Sequence, residues 1–182
     1  MRALGLDPVH DTRRTFDGLL EAMSRPGTVQ SVPSPADHAV ISTLVDHEVT
    51  LATDDDALHE ALSGQGRMDV ASPETADIVH TRDHTGWDVR ECERGSLVDP
   101  SNGATIVYRV DTVAGGTRED CATATLTGPG VDGTATLSVS LPAAELSAIA
   151  EAQSGYPRGV DAVFAGDGCV AAFPRSVTVE VA

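Results

Sequence analysis

The chain has 182 residues and a formal charge of −16, with 28 acids set against 12 basic side chains, every one an arginine. Without lysine it can form no Schiff base with pyridoxal phosphate or a carbonyl substrate, and it has no P-loop lysine to reach a β- or γ-phosphate. An acid excess of this size repels phosphate backbones and anionic lipid, which excludes nucleic acid and membrane surfaces as partners.

In chain order, Asp11 is placed to cap a helix whose apolar residues Phe16, Leu19, Leu20 and Met23 recur at helical spacing, giving one buried stripe that Pro26-Gly27 ends. Thr28–Val32 reads as a short strand. Ser34-Pro35 opens a second helix running to about Asp46, and Val49–Thr53 is a strand. The Asp54–Asp56 run sits where negative charge favours a helix start, and that helix ends near Gly64. Met68–Ala71 and Asp77–Thr81 read as short strands, followed by a helical turn around Trp87–Arg94. Thr105–Thr112 and Ala122–Thr127 are strands, Thr134–Leu141 is extended, and Ala143–Gln153 is a helix with Leu146, Ile149 and Ala150 on one face. Gly166-Asp167-Gly168 between Ala162–Ala165 and Cys169–Phe173 signals a hairpin, and Val177, Val179 and Val181 alternate with polar residues in a last strand. Helices alternating with strands early and antiparallel pairs late give an α/β fold, a three-layer mixed sheet with flanking helices, in one domain over residues 1–182.

The acids are dispersed, Asp54-Asp55-Asp56 being the only run, which fits adaptation to a salt-rich cytoplasm better than a patch for a basic partner. Arginine-for-lysine exchange through GC-rich coding would add to it. Three scattered cysteines without a CxxC pair give no disulfide framework. The N-terminal MRALGLDPVHDTRR lacks an apolar signal core, and no stretch of about 18 apolar residues occurs, so a soluble, cytoplasmic protein is expected.

Candidate sites are sparse. Gly128-Pro129-Gly130-Val131-Asp132-Gly133 matches the dinucleotide fingerprint in letters, but an extended segment follows where a helix is needed, so a tight connection is the better reading. His80 and His84 lie four apart with Cys92 downstream, in a segment too weakly helical for a metal pair; His10, His38, His47 and His59 read as surface positions. Cys92 stands between two glutamates, which raise rather than lower a thiol pKa, and Cys121 and Cys169 lie in apolar strands as packing. Arg25, Arg158 and Arg175 each adjoin a proline in segments that break regular structure, where an arginine fork can bind phosphate or simply pair with a surface acid. Asp161 enters a buried strand from a loop, placed to bind a ligand or to cap backbone amides.

Five segments together carry a family resemblance: Phe16-Asp17-Gly18-Leu19-Leu20-Glu21-Ala22-Met23-Ser24-Arg25-Pro26-Gly27, Gly103-Ala104-Thr105-Ile106-Val107, Leu126-Thr127-Gly128-Pro129-Gly130, Tyr156-Pro157-Arg158-Gly159-Val160-Asp161 and Phe173-Pro174-Arg175-Ser176 with its valine-rich end. In this order and spacing they resemble the H subunit of the carbon–phosphorus lyase (phosphonate utilisation) system. The resemblance implies a fold similar to the pyridoxal-phosphate-dependent transferases without their chemistry, and a homodimer that joins the G, I and J subunits in a core complex. It further implies action with the G, I and L subunits in displacing adenine from ATP by an alkylphosphonate, giving a ribose 1-phosphonate 5-triphosphate. The expected role is a subunit of this transferase complex with no independent activity, contributing assembly and substrate binding; a structural adaptor without a ligand site, or a stand-alone nucleotide-binding protein, are the alternatives. ATP is then a substrate of the complex, and no cofactor or metal is expected on this chain. The resemblance fixes no catalytic residue. Arg25, Asp161 and Arg175 fall within matching motifs and are the substrate-binding candidates, whereas Arg158 occupies a position that is often apolar in the family.

Overall fold

The computed structural model describes residues 4–66 and 68–182; Met1, Arg2 and Ala3, part of the segment read as lacking a signal core, lie outside the described residues. Helix α1 (His10–Ser24) leads through strand β1 (Gln30–Ser31) to α2 (Ala36–Leu44), β2 (Thr50–Thr53), α3 (Asp56–Ser63), β3 (Asp69–Val70) and β4 (Ile78–Thr81). Short 3₁₀ turns at His84–Gly86, Val89–Glu91 and Pro100–Asn102 connect to β5 (Thr105–Arg109). Then come β6 (Val113–Gly115), β7 (Ala122–Thr127), β8 (Ala135–Val139), α4 (Ala143–Gln153), β9 (Asp161–Ala165), β10 (Cys169–Phe173) and β11 (Thr178–Val181). The result is an α/β fold with a mixed sheet and, among the described residues, four α-helices.

The main sheet has seven strands in the order β1-β10-β9-β5-β4-β2-β3. Strands β9, β5, β4, β2 and β3 run parallel to one another, while β10 and β1 close one edge antiparallel. Both faces are buried, so its central strands are apolar almost throughout. Val107, Val163, Ala165, Val170 and Ala172 pack on one side with residues of α1, α2 and α3. Ile106, Tyr108, Ala162, Phe164, Ala171 and Phe173 pack on the other.

That second face differs from the expected layer of helices. Strands β6, β7, β8 and β11 form a separate antiparallel sheet, ordered β11-β7-β8-β6, and its Ala124, Leu126, Leu137 and Val139 share a core with α4 residues Leu146 and Ile149. The late strands therefore split: β9 and β10 complete the mixed sheet, whereas β11 pairs with β7. Gln153 near the end of α4 locks this side by donating from Nε2 to the carbonyls of Val160 (3.1 Å) and Phe173 (2.7 Å). Although the chain is poor in aromatic residues, four of its rings meet here, Trp87 stacking on Tyr108, Tyr108 on Phe164, and Phe164 edge-on to Phe173.

Helix α1 departs from its expected stripe. Thr15, Leu19 and Ala22 turn inward, while Phe16 and Leu20 are 54% and 58% exposed. The helix rests on α2 and β10 along a narrow seam that takes Leu19 and the half-buried Met23 of the expected stripe and leaves Phe16 and Leu20 on the outside.

Candidate functional site

In the parallel part of the sheet the chain leaves β2 toward β3 on one side and leaves β4 toward β5 on the other. The crevice beyond the carboxyl ends of β2 and β4 is thus a topological switch point, the place where open α/β sheets bind ligands. Two cavities open there, both touching Thr81. One, of about 350 Å³, is lined by Ala52, Val79 and Trp87 with the polar Thr53, Asp54 and Asp83. The other, of about 280 Å³, is lined by Thr81, Arg82, His84, Tyr108, Arg109 and Ser140 among others. Two guanidiniums and an imidazole against one acid, Asp111, in its lining make the second cavity suited to an anion.

The acid run after β2 builds this edge. Asp54 accepts bonds from the Arg82 and Asp83 amides and from the Thr81 hydroxyl (2.9–3.0 Å), which fixes the chain as it leaves β4. Asp55 caps α3 through Oδ1, taking the amides of Ala57 (2.9 Å) and Leu58 (3.1 Å). Its Oδ2 lies 2.8 Å from His38 Nε2 and accepts from Arg82 Nη1 at 3.1 Å. Burial pushes the Asp55 carboxyl up, but the bonds from His38 and the Leu58 amide, with the nearby His38 and Arg82 charges, bring it down to about 2.

A second buried pair lies alongside. His80, on β4, sits 3.3 Å from Asp37 Oδ2 through Nε2 and 2.8 Å from the Thr53 hydroxyl through Nδ1. Burial raises the Asp37 carboxyl, and the bond and charge of His80 outweigh it, so the net shift is downward. Arg109 Nε stands 4.0 Å from the same oxygen, while its Nη1 donates to the Val110 carbonyl (2.9 Å). The arrangement can hold an anion on arginine, beside two buried carboxylate–imidazole pairs.

These residues replace several readings of the sequence. His38 is largely buried, with 13% of its side chain exposed, because α2 turns its first residues toward the sheet edge; His10, His47 and His59 are exposed as expected. His80 lies on a strand and His84 in a 3₁₀ turn, so the pair shares no helix, and Cys92 is buried apart from them. Burial, with Glu74 and Asp88 nearby, pushes the Cys92 thiol up to about 12, consistent with an inert cysteine; burial also raises Cys169. The glycine-rich segment joins β7 to β8 in an antiparallel hairpin, so no helix N-terminus is available to meet a pyrophosphate.

Of the candidates, Arg25 follows α1, is 70% exposed and pairs with Glu21 at 2.9 Å. Asp161 and Arg175 are brought together. Arg175 Nε donates to Asp161 Oδ2 (3.0 Å), Nη1 to the Pro100 carbonyl (2.6 Å), and Nη2 to the Gly103 carbonyl (2.9 Å) and to Asp161 Oδ2 (2.5 Å), while Asp161 Oδ1 takes the Arg175 amide (2.7 Å). Four of the five guanidinium protons are thus used inside the protein. Arg158 is exposed. Sequence reasoning passed over Asp37, Arg82 and Arg109 and placed His38 on the surface; the usable signal for the arginines was a charged residue at or just after the end of a buried strand, as in Thr81-Arg82 and Tyr108-Arg109.

The profile of a family described as bacterial phosphonate metabolism protein (PhnH) matches residues 5–180. The chain belongs to this family. It is also 33% identical over 174 residues to HtxG of Stutzerimonas stutzeri, a protein named as a candidate C-P lyase subunit, an alignment covering 91% of this chain and 84% of that one. The segments that carried the family resemblance converge in space. Gly103, Gly159, Asp161 and Arg175 meet at one joint, where a Cβ on Gly103 would collide with the Arg175 guanidinium and the Gly159 carbonyl. Gly27 and Gly130 serve another, where the chain at the end of α1 abuts the β7–β8 hairpin: a Cβ on Gly27 would meet Ala135, and one on Gly130 the Ser24 carbonyl oxygen. In this member of the family the shared motifs thus build joints between layers, and the carboxyl-edge cavities lie elsewhere.

Proposed function

We propose that this chain is a subunit of the carbon–phosphorus lyase complex, acting in the step that transfers the ribose triphosphate moiety of ATP to an alkylphosphonate and releases adenine. Family membership supports the setting, and one observation carries the chain's own contribution: Arg82 and Arg109 line a single cavity at the carboxyl ends of the parallel strands. Both substrates are anions, and a displacement at the ribose C1 passes through an oxocarbenium-like state that needs its phosphoryl groups held in place. Arginine forks supply that hold, and the lysine-free chain has no other strong cation to offer. Two guanidiniums suffice for one phosphonate or phosphate group, not for a whole triphosphate, so turnover requires the partner subunits.

Assembly is the second contribution. In this reading the chain forms a homodimer and joins the G, I and J subunits, acting functionally with the L subunit, and the exposed Phe16 and Leu20 of α1 offer an apolar face for such contacts. The full chain with its partner subunits should convert ATP and methylphosphonate, and the chain alone should not. Arg109→Gln should still assemble but lower turnover by tenfold or more, chiefly by raising the methylphosphonate requirement. Wild-type turnover by that variant would favour a purely structural adaptor.

A further inference from the structure

The geometry points to a divalent transition-metal site formed by Asp37, His38 and Asp55, with Zn²⁺ as the preferred ion. These three residues bring one ligand atom each within 4.8 Å of one another, on the helix side of the sheet edge. The inference does not depend on membership of any complex, since it rests on the chemistry of these side chains.

Three observations carry it. First, the buried donors are apportioned so that one atom of each residue is left for the ion. Asp55 Oδ1 is committed to the cap of α3, which leaves Oδ2 facing His38 Nε2 at 2.8 Å. Asp37 Oδ2 is committed to His80, and Asp37 Oδ1 has no hydrogen-bond partner among the described residues although only 2% of the side chain is exposed. A buried carboxylate oxygen left bare is destabilising, because it has lost its water without gaining a partner, and a bound cation removes that cost.

Second, an outer shell is already built. His80 holds Asp37 by its second oxygen and is itself fixed by the Thr53 hydroxyl at 2.8 Å, the chain of contacts that orients a ligating carboxylate in metal proteins. Third, the arginine at hydrogen-bond distance from a ligand oxygen is easily released, and Arg109 stands 4.0 Å from Asp37 Oδ2. Arg82 shares Asp55 Oδ2, but its side chain is 54% exposed and can swing into solvent at little cost. His38 then offers Nε2, the ring nitrogen facing Asp55 Oδ2, to the ion. Two carboxylate oxygens and an imidazole nitrogen form a three-ligand set with a fourth position open, which suits Zn²⁺ and is too poor in oxygen for Ca²⁺ or Mg²⁺.

The test is a calorimetric titration of the chelator-treated full chain with Zn²⁺, with bound metal counted after dialysis. One ion per chain is expected, with affinity falling at least tenfold in His38→Gln and in Asp37→Asn, while His47→Gln, at an exposed histidine, binds as the parent does. Circular dichroism and thermal melts of the metal-free variants establish that they fold; if Asp37→Asn does not, His38→Gln alone decides. Failure to retain Zn²⁺, or retention unchanged in folded His38→Gln, overturns the site and assigns any bound metal to the cysteines or the acidic surface.

Discussion

Arg175 shows how a single side chain can be mistaken for a ligand. Its place beside a proline after a buried strand is where a phosphate-binding arginine would be expected, yet its donors are spent on Asp161 and on two carbonyls of the segment before β5. Removing it leaves a partly buried carboxylate and two carbonyls unmet. Arg175→Ala should therefore cost about 3 kcal/mol in denaturant unfolding, whereas Arg25→Ala, which breaks only an exposed pair with Glu21, should stay within about 0.5 kcal/mol. A loss for Arg175→Ala no larger than that for Arg25→Ala would refute the structural role. The contrast follows from desolvation, since an exposed ion pair trades one set of water contacts for another while a buried one has no water to return to.

At the scale of elements, the β7–β8 hairpin is held to α1 by contact between backbones. Gly130 has a φ of +81°, and a Cβ there would be driven into the Ser24 carbonyl oxygen at the end of α1. Gly133, in the same connection, has a φ of +69° but open space around it. Gly133→Ala should thus cost only the left-handed backbone strain of about 1–2 kcal/mol, and Gly130→Ala clearly more, read as the difference between their melting temperatures. Equal losses would mean that the helix end moves aside freely. The fingerprint letters in this loop reflect close approach of chains, the same property of glycine that dinucleotide sites exploit for a different purpose.

For the whole molecule, the charge of −16 is the dominant fact. The Asp54 and Asp55 carboxylates and Oδ2 of Asp37 have local partners, but most acids lie on the surface without enough arginine to balance them. Self-repulsion of this kind is screened over about 10 Å at 0.1 M salt and about 3 Å at 1 M. The melting temperature should rise by several degrees between 0.1 and 2 M KCl, and a flat or falling profile would count against adaptation to salt. No described helix is long and apolar enough to cross a membrane, which agrees with the absence of long apolar runs in the sequence.

The sequence by itself determined the elements with strong periodicity or punctuation. Ala122–Thr127, Ala143–Gln153 and Cys169–Phe173 stand where their patterns put them, and the five motif segments were enough to identify the family. Those features are local, because alternation, caps and turn residues act over a few positions. Only the tertiary structure decided that β11 joins a second sheet, that Phe16 and Leu20 face outward, and that His38 leaves the surface for a pair with Asp55. It alone brought Arg82 and Arg109, 27 positions apart in the chain, into one cavity by aligning the ends of β4 and β5. Strand order places such residues side by side, and strand order is set by which apolar faces pack together, a property that no short stretch of sequence carries.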